Sequence, residues 1–293
     1  MLLGLLQFSG AGFNNPLVND TVGQVSGSFA NRNHFALFLA LGCLIAPVWS
    51  TAAPSQSARF WRVPVAWGLV LLFLLTIVAS GSRAGLGLGM LAVLLAFLLS
   101  RGGMKRALAH FPRWLLPAFG AGVVVIIALL LLLIVMNDRA ASIDRLFVKD
   151  VGQDMRIRGL PTVISMIGTY FPIGSGLGGF DPVFRISEPF ELLKLTYFNH
   201  AHNDFLELTL DAGLPAALLL TAGMGWWAWA TLRVWRGRLV RSSPLPLLGS
   251  AIILLVLIAS LFDYPARTPV IMALVVLAAV WLGRGTVAVS YTH

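Results

Sequence analysis

Long apolar runs separated by short polar segments dominate the chain. Seven of them predict transmembrane helices: His34–Trp49, Val63–Ala79, Gly85–Leu99, Leu115–Met136, Leu214–Thr231, Leu245–Leu261 and Val270–Leu282. Several are shorter than the ~20 residues a straight span needs, so their ends must borrow flanking residues. One long polar stretch, Asn137–Asn203, interrupts the pattern. Inside it, Leu160–Phe171 has a helical apolar period, Pro161 suits a first turn and Pro172 ends the helix. The run Gly174-Ser175-Gly176-Leu177-Gly178-Gly179 then predicts a turn. It follows a helix and not a strand, so it lacks the context of a nucleotide-binding loop. The expected fold is all-α: a polytopic integral membrane helical bundle of about 7 spans, forming a single membrane domain over residues 1–293. Residues 137–203 are expected to be a large external loop within it, carrying short helices.

Composition agrees with that pattern. Of 293 residues, 58% are hydrophobic and 11% charged, against about 25% charged in soluble domains. The formal charge of +9 would fit a nucleic-acid partner, but its distribution argues against one. Arg59 and Arg62, then Arg101, Lys105, Arg106 and Arg113, then Arg233, Arg236, Arg238 and Arg241, sit in short loops without acidic residues. The positive-inside rule places those loops in the cytoplasm. All twelve carboxylates then fall on the opposite side or at its interface. The Trp226, Trp227, Trp229, Trp235 group reads as an interfacial belt. The single cysteine, Cys43, cannot form an intrachain disulfide.

The candidate chemistry lies on the external side. Asn199-His200-Ala201-His202-Asn203-Asp204 immediately precedes a span. Ionisable clusters at such positions are costly and usually functional. Asp204 with Glu207 three residues later has the form of a capping box, with Asp204 as the N-cap. A helix N-terminus disfavours a protonated imidazole nearby, so His202 or His200 is suited to act as a general base. Local reading does not choose between them. Arg32, Arg83, Arg156, Arg158, Arg185 and Arg267 are also external, and guanidinium groups converging there would hold a phosphate or diphosphate. No Asp-x-Asp pair and no zinc-spaced Cys or His cluster occurs, so no metal or other cofactor is expected.

Together these segments resemble the O-antigen ligase and O-antigen polymerase superfamily. The resemblance rests on Gly27-Ser28-Phe29-Ala30-Asn31-Arg32-Asn33-His34 before a span, Gly81-Ser82-Arg83-Ala84-Gly85 in a hairpin, Asp154-x-Arg156 to Gly174-x-Gly176 in the long loop, and Ala201-His202-Asn203-Asp204 at its end. Asp263-Tyr264-Pro265 with Arg267-Thr268-Pro269 adds a fifth. The resemblance implies a metal-independent inverting glycosyltransferase of lipopolysaccharide biosynthesis, multi-pass in the bacterial inner membrane with its active face periplasmic. Its implied partners are an undecaprenyl-diphosphate-linked glycan donor, a lipid A core or glycan acceptor, and membrane lipids. It maps the essential His onto His202 and the diphosphate-binding arginines onto Arg83 and Arg156, with Arg158 as a substitute for Arg156 and Arg267 as a further candidate. Arg32, His200, Asn203 and Asp204 would support them. Within the superfamily the alternatives are ligase and O-antigen or exopolysaccharide polymerase; from a different class, a lipid-linked glycan transporter. Members usually carry more leading spans, so this chain looks as though it lacks several N-terminal helices.

Overall fold

In the computed structural model the described residues are 1–9, 25–53, 55–107, 155–193, 198–237 and 243–290, with isolated positions at 18 and between 114 and 132. They form helices α1 (Leu2–Phe8), α2 (Arg32–Thr51), α3 (Gln56–Ala79), α4 (Arg83–Ala107), α5 (Met155–Tyr170), α6 (Phe180–Ser187), α7 (Asp204–Arg236), α8 (Leu245–Ser260) and α9 (Pro269–Ser290), with short 3-10 turns at Phe190–Leu192 and Pro265–Arg267. Among the described residues no strand occurs. α2, α3, α4, α7 and the Pro269–Thr286 part of α9 are long and apolar enough to cross a membrane, while α8 is a shorter apolar helix. The protein is therefore an all-α, multi-pass membrane protein. The expected span Leu115–Met136 lies outside the continuously described residues.

The chain divides into two compact units. Unit 1 holds Met1–Val135, Ala230–Val256 and Ala273–His293; unit 2 holds Met136–Trp229 and Leu257–Met272.

In unit 1, α2 is the inner helix and packs chiefly against α4 and α3. α4 makes this possible with a buried row of small residues: Gly85, Gly89, Ala92, Ala96, Ser100 and Gly103. Their spacing puts them on one helix face, where small side chains let helix backbones approach closely. Gly85 lies against Ala36, Gly103 against Thr51, and Gly89 against Ile77 and Leu74. Polar side chains hold the helix ends. Asn31 caps α2 by accepting from the Asn33 N–H at 2.8 Å. Ser55 caps α3. Ser82 accepts from the Gly85 N–H at the start of α4 and donates to Asn33 Oδ1 at 2.7 Å. That last bond ties two of the motifs singled out in the sequence.

Unit 2 has its own core, formed by Val163, Met166, Phe180, Phe184, Leu192, Phe198, Ala201 and Leu210. Phe180 and Phe184 stack at 5.4 Å and both meet Phe198. The organising feature is a break in α7. Gly213 has φ +59 and ψ −139, which separates a polar part, residues 204–212, from the apolar part, 214–236. The broken end would leave carbonyls without partners. The glycine loop supplies them: the N–H of Ser175 donates to Leu210 O at 2.8 Å, and that of Gly176 to Asp211 O at 2.9 Å. Pro172 O in turn accepts from the Leu214 N–H at 2.8 Å. Gly176, Gly178 and Gly174 all have positive φ, so the glycine run is a tight turn docked on the helix break.

A side chain at Gly213 would meet Pro172 O, and a Cβ at Gly174 would lie 2.5 Å from Asp211 O. Both positions also need a backbone conformation that L side chains rarely adopt. Gly213→Ala is therefore expected to cost at least about 1–3 kcal/mol from the backbone conformation alone. The check is thermal unfolding of the detergent-solubilised chain, with Gly223→Ala, which meets nothing within 4 Å, as the neutral comparison.

Candidate active site

The polar part of α7 carries Asp204, Glu207 and Asp211, three buried carboxylates on one helix face. Burial of a carboxylate is tolerable only with hydrogen bonds or opposite charge, and each has them. Asp204 Oδ2 accepts from Ser260 Oγ at 2.8 Å and from the Ala266 N–H at 3.0 Å. Glu207 Oε2 accepts from the Ala201 N–H at 2.8 Å, while Oε1 meets His200 Nδ1 at 2.7 Å and Arg267 Nη2 at 2.8 Å. Asp211 Oδ2 accepts from Arg267 Nη2 and from the Gly178 N–H, each at 3.2 Å. Asp211 Oδ1 is buried without a hydrogen-bond partner among the described residues, which makes that carboxylate dependent on Arg267 and the glycine loop.

The helix starts differently from the sequence expectation. Asn203 is the residue that caps it, accepting from the Leu206 N–H at 3.1 Å through Oδ1. Its amide also donates to Leu261 O at 3.2 Å. Asp204 is the first helical residue. Glu207 reaches back to Ala201, so no capping box of the expected form exists. Asn and Asp are near-equal caps. The decision falls to Asp204's partners at Ser260 and Ala266, which pull its carboxylate away from the helix start.

His202 sits just before this cap with φ +50, a left-handed conformation that His adopts more readily than most residues. Its Nδ1 faces Asp263 Oδ1 at 3.2 Å. A carboxylate only accepts, so Nδ1 carries a hydrogen toward it, and in a neutral imidazole Nε2 is then the acceptor. Asp263 also accepts from the Tyr264 N–H at 3.0 Å. Its second oxygen, Oδ2, lies 3.8 Å from Arg156 Nη2, and Arg156 Nη1 donates to Phe262 O at 3.2 Å. Rings pack around the imidazole: Phe198 at 5.2 Å and Tyr264, edge-on, at 5.1 Å. His200 also packs against Tyr264, 4.1 Å between ring centroids.

Unit 2 thus gathers His202, His200, Asn203, Asp204, Arg156 and Arg267, all anticipated from sequence. Arg158 turns elsewhere and donates to Glu191 O at 2.9 Å. Arg267 is close by, but one of its nitrogens is shared by two carboxylates. Arg185 pairs with Asp181 on the surface. Arg32 and Arg83 belong to unit 1, exposed at the first turns of α2 and α4. Sequence reasoning did not single out Asp263 as a site residue. The available signal was a carboxylate in a short Asp-Tyr-Pro segment between two apolar runs.

The fold is that of a polytopic helical membrane protein, and the motifs of unit 2 form a histidine–carboxylate–arginine cluster. A family model described as O-antigen ligase matches residues 68–221, more than half of the chain, and the chain belongs to that family. Arg83, Arg156, Arg158 and His202 fall inside the matched region; Arg32, Asp263 and Arg267 fall outside it. Comparison with curated proteins gave no match. Membership gives the chain an O-antigen ligase or polymerase-like role: a glycan-transferring enzyme working on lipid-linked glycan at a membrane.

Glu207 holds His200, the Ala201 backbone and Arg267 at once. Glu207→Ala removes both acceptor oxygens, and with them all three contacts, and leaves Arg267 paired with Asp211. Breaking a buried ion pair from one side costs about 3–5 kcal/mol, which both Glu207→Ala and Glu207→Gln incur; Glu207→Gln keeps one acceptor oxygen and fills the space, so Glu207→Ala should unfold earlier. Thermal unfolding of both variants in the same detergent measures the difference.

Proposed function

We propose that this protein transfers a glycan from an undecaprenyl-diphosphate carrier to an acceptor sugar hydroxyl at the periplasmic face of the inner membrane. The observation that carries this reading is the His202–Asp263 pair, 3.2 Å apart, with Arg156 on the second oxygen of the same carboxylate. Asp263 fixes the imidazole with Nε2 free. Nε2 takes the proton of the acceptor hydroxyl as its oxygen attacks the anomeric carbon. The bond from that carbon to the diphosphate breaks, and the lipid diphosphate leaves with the electron pair. A diphosphate needs charge stabilisation on departure more than it needs a proton. Arg156 is the unit 2 residue suited to supply it, and in unit 1 Arg83, with Arg32, is suited to bind anionic donor groups. Arg267 supports the carboxylates beneath His200 in preference to meeting substrate, because its Nη2 is already shared by Glu207 and Asp211. A single displacement inverts the anomeric centre.

His200 also presents Nδ1 to a carboxylate. That carboxylate, however, is balanced by Arg267 at 2.8 Å, which favours a positioning role for His200. Transfer measured in membranes with carrier-linked donor separates the two histidines. His202→Ala should lose about 10²–10⁴-fold in kcat, the usual contribution of a positioned general base, with donor binding retained. His200→Ala should keep measurable turnover. The reverse ranking would move the base to His200.

Arg156 and Arg158 are distinguished in the same assay. Arg156→Ala should lower kcat far more than Arg158→Ala, since only Arg156 adjoins the His202 partner. Equal losses would remove Arg156 from the reacting centre. Gel analysis of membrane glycans in a strain lacking the gene then assigns the acceptor. Core without polymer, with long carrier-linked glycan accumulating, identifies a ligase. Core capped by a single repeat identifies a polymerase.

A further inference from the structure

The four most exposed large apolar side chains among the described residues are Ile173, Leu177, Ile186 and Phe190, each about 84–85% exposed. They exceed even the outward-facing residues of the spanning helices, such as Leu219 at 74%. All four lie in one 18-residue stretch that is not a span, with polar groups such as Asp181, Arg185 and Glu188 between them. Water is a poor neighbour for such a concentration, and exposed apolar groups of this kind mark a contact surface.

The position of the stretch identifies what covers it. Along α7, every carboxylate lies before Gly213, and no charged residue follows until Arg233. Gly213 is therefore the boundary between the polar and the membrane-compatible parts of the helix. The glycine loop is fastened at that boundary. Pro172 O bonds the Leu214 N–H, and a Cβ on Gly213 would lie 2.7 Å from the Ile173 carbonyl carbon. The N–H groups of Ser175 and Gly176 bond Leu210 and Asp211, and that of Gly178 bonds the Asp211 side chain. Leu177 is thus held within about one helical turn of the boundary. Leu214 and Leu218, on the span just past that boundary, are exposed as well.

We propose that the segment from Ile173 to Phe190 is seated in the membrane interface, with Ile173 and Leu177 reaching the acyl boundary beside the first turn of the 214–236 helix. The occupant of this surface is bilayer lipid. Polar residues between the apolar ones stay at headgroup level, as in other interfacial segments. This seating stands or falls independently of the role assigned to His202.

Spin labelling of the full chain in lipid nanodiscs tests it. Nitroxides are placed at Ile173→Cys and Leu177→Cys in a Cys43→Ser background, with Leu219→Cys as the lipid-facing reference. Oxygen partitions into lipid and a nickel chelate into water. Collisions with oxygen should dominate at positions 173 and 177, with the same sign as at 219. Dominant chelate collisions at 173 and 177, with 219 still reporting lipid, would overturn the proposal. Low collision rates with both reagents would also overturn it, by showing that protein covers the segment. If a label at 173 or 177 prevents folding, Ile186→Cys and Phe190→Cys supply the same readout farther along, with chelate dominance at both overturning the proposal.

Discussion

Three carboxylates on one face of a short helix impose the central constraint on unit 2. Asp204, Glu207 and Asp211 are buried, and a buried carboxylate without partners is far too costly to keep. The partners come from three chain segments: Ser260 at the end of α8 with Ala266 and Arg267 just beyond it, Ala201 and His200 immediately before the helix, and Gly178 from the glycine loop. Satisfying one helix face thus brings three chain segments together. His202 and Asp263 meet as a consequence, since one flanks Asn203 and the other lies between Ser260 and Ala266. His202 and Asp263 sit on a scaffold held together by charge compensation as much as by the phenylalanine core.

The spans were legible because burial in lipid demands long apolar runs, and five of the expected runs coincide with helices of spanning length and composition. The later part of α5 and its end near Pro172 followed from apolar period and proline chemistry, but the helix begins at Met155, before the expected Leu160, so Pro161 lies inside it and not in its first turn. The pairings of His202 with Asp263, 61 residues away, and of Arg267 with Glu207 were not legible. No local pattern encodes a contact between segments so far apart. The same blindness explains the cap. Asn203 and Asp204 both qualify by residue type, and only Asp204's remote partners decide between them. The break at Gly213 had a readable signal in Gly213-Leu214-Pro215, because proline fits the first turn of a helix and glycine the turn before it.

Unit 1 obeys a different economy. It makes close backbone approaches through the small-residue row on α4, and many of its polar bonds lie at helix ends. Gln7 shows the principle: its carboxamide accepts from the N–H groups of Ser26 and Gly27 at 3.0 and 2.8 Å, closing the turn before α2. Asn31, Asn33 and Ser82 do the same for α2 and α4. Arg32 and Arg83 project from the starts of α2 and α4, which carry the positive ends of their helix dipoles. An anion arriving there would meet guanidinium and helix dipole together.

The length of α8 has a consequence for the bilayer itself. Its 16 residues extend roughly 24 Å at 1.5 Å per residue, several ångströms less than the ~30 Å of a typical hydrocarbon core. A helix shorter than the hydrocarbon core is matched by local thinning of the bilayer, by snorkelling of flanking residues or by oligomerisation. Thinning at α8 would draw the headgroup layer toward the 261–267 segment that follows the helix, the same segment that carries Asp263. Lipid phosphates and water would then come close to the carboxylate paired with His202. Hydrophobic mismatch would thereby become part of how an amphiphilic donor is presented.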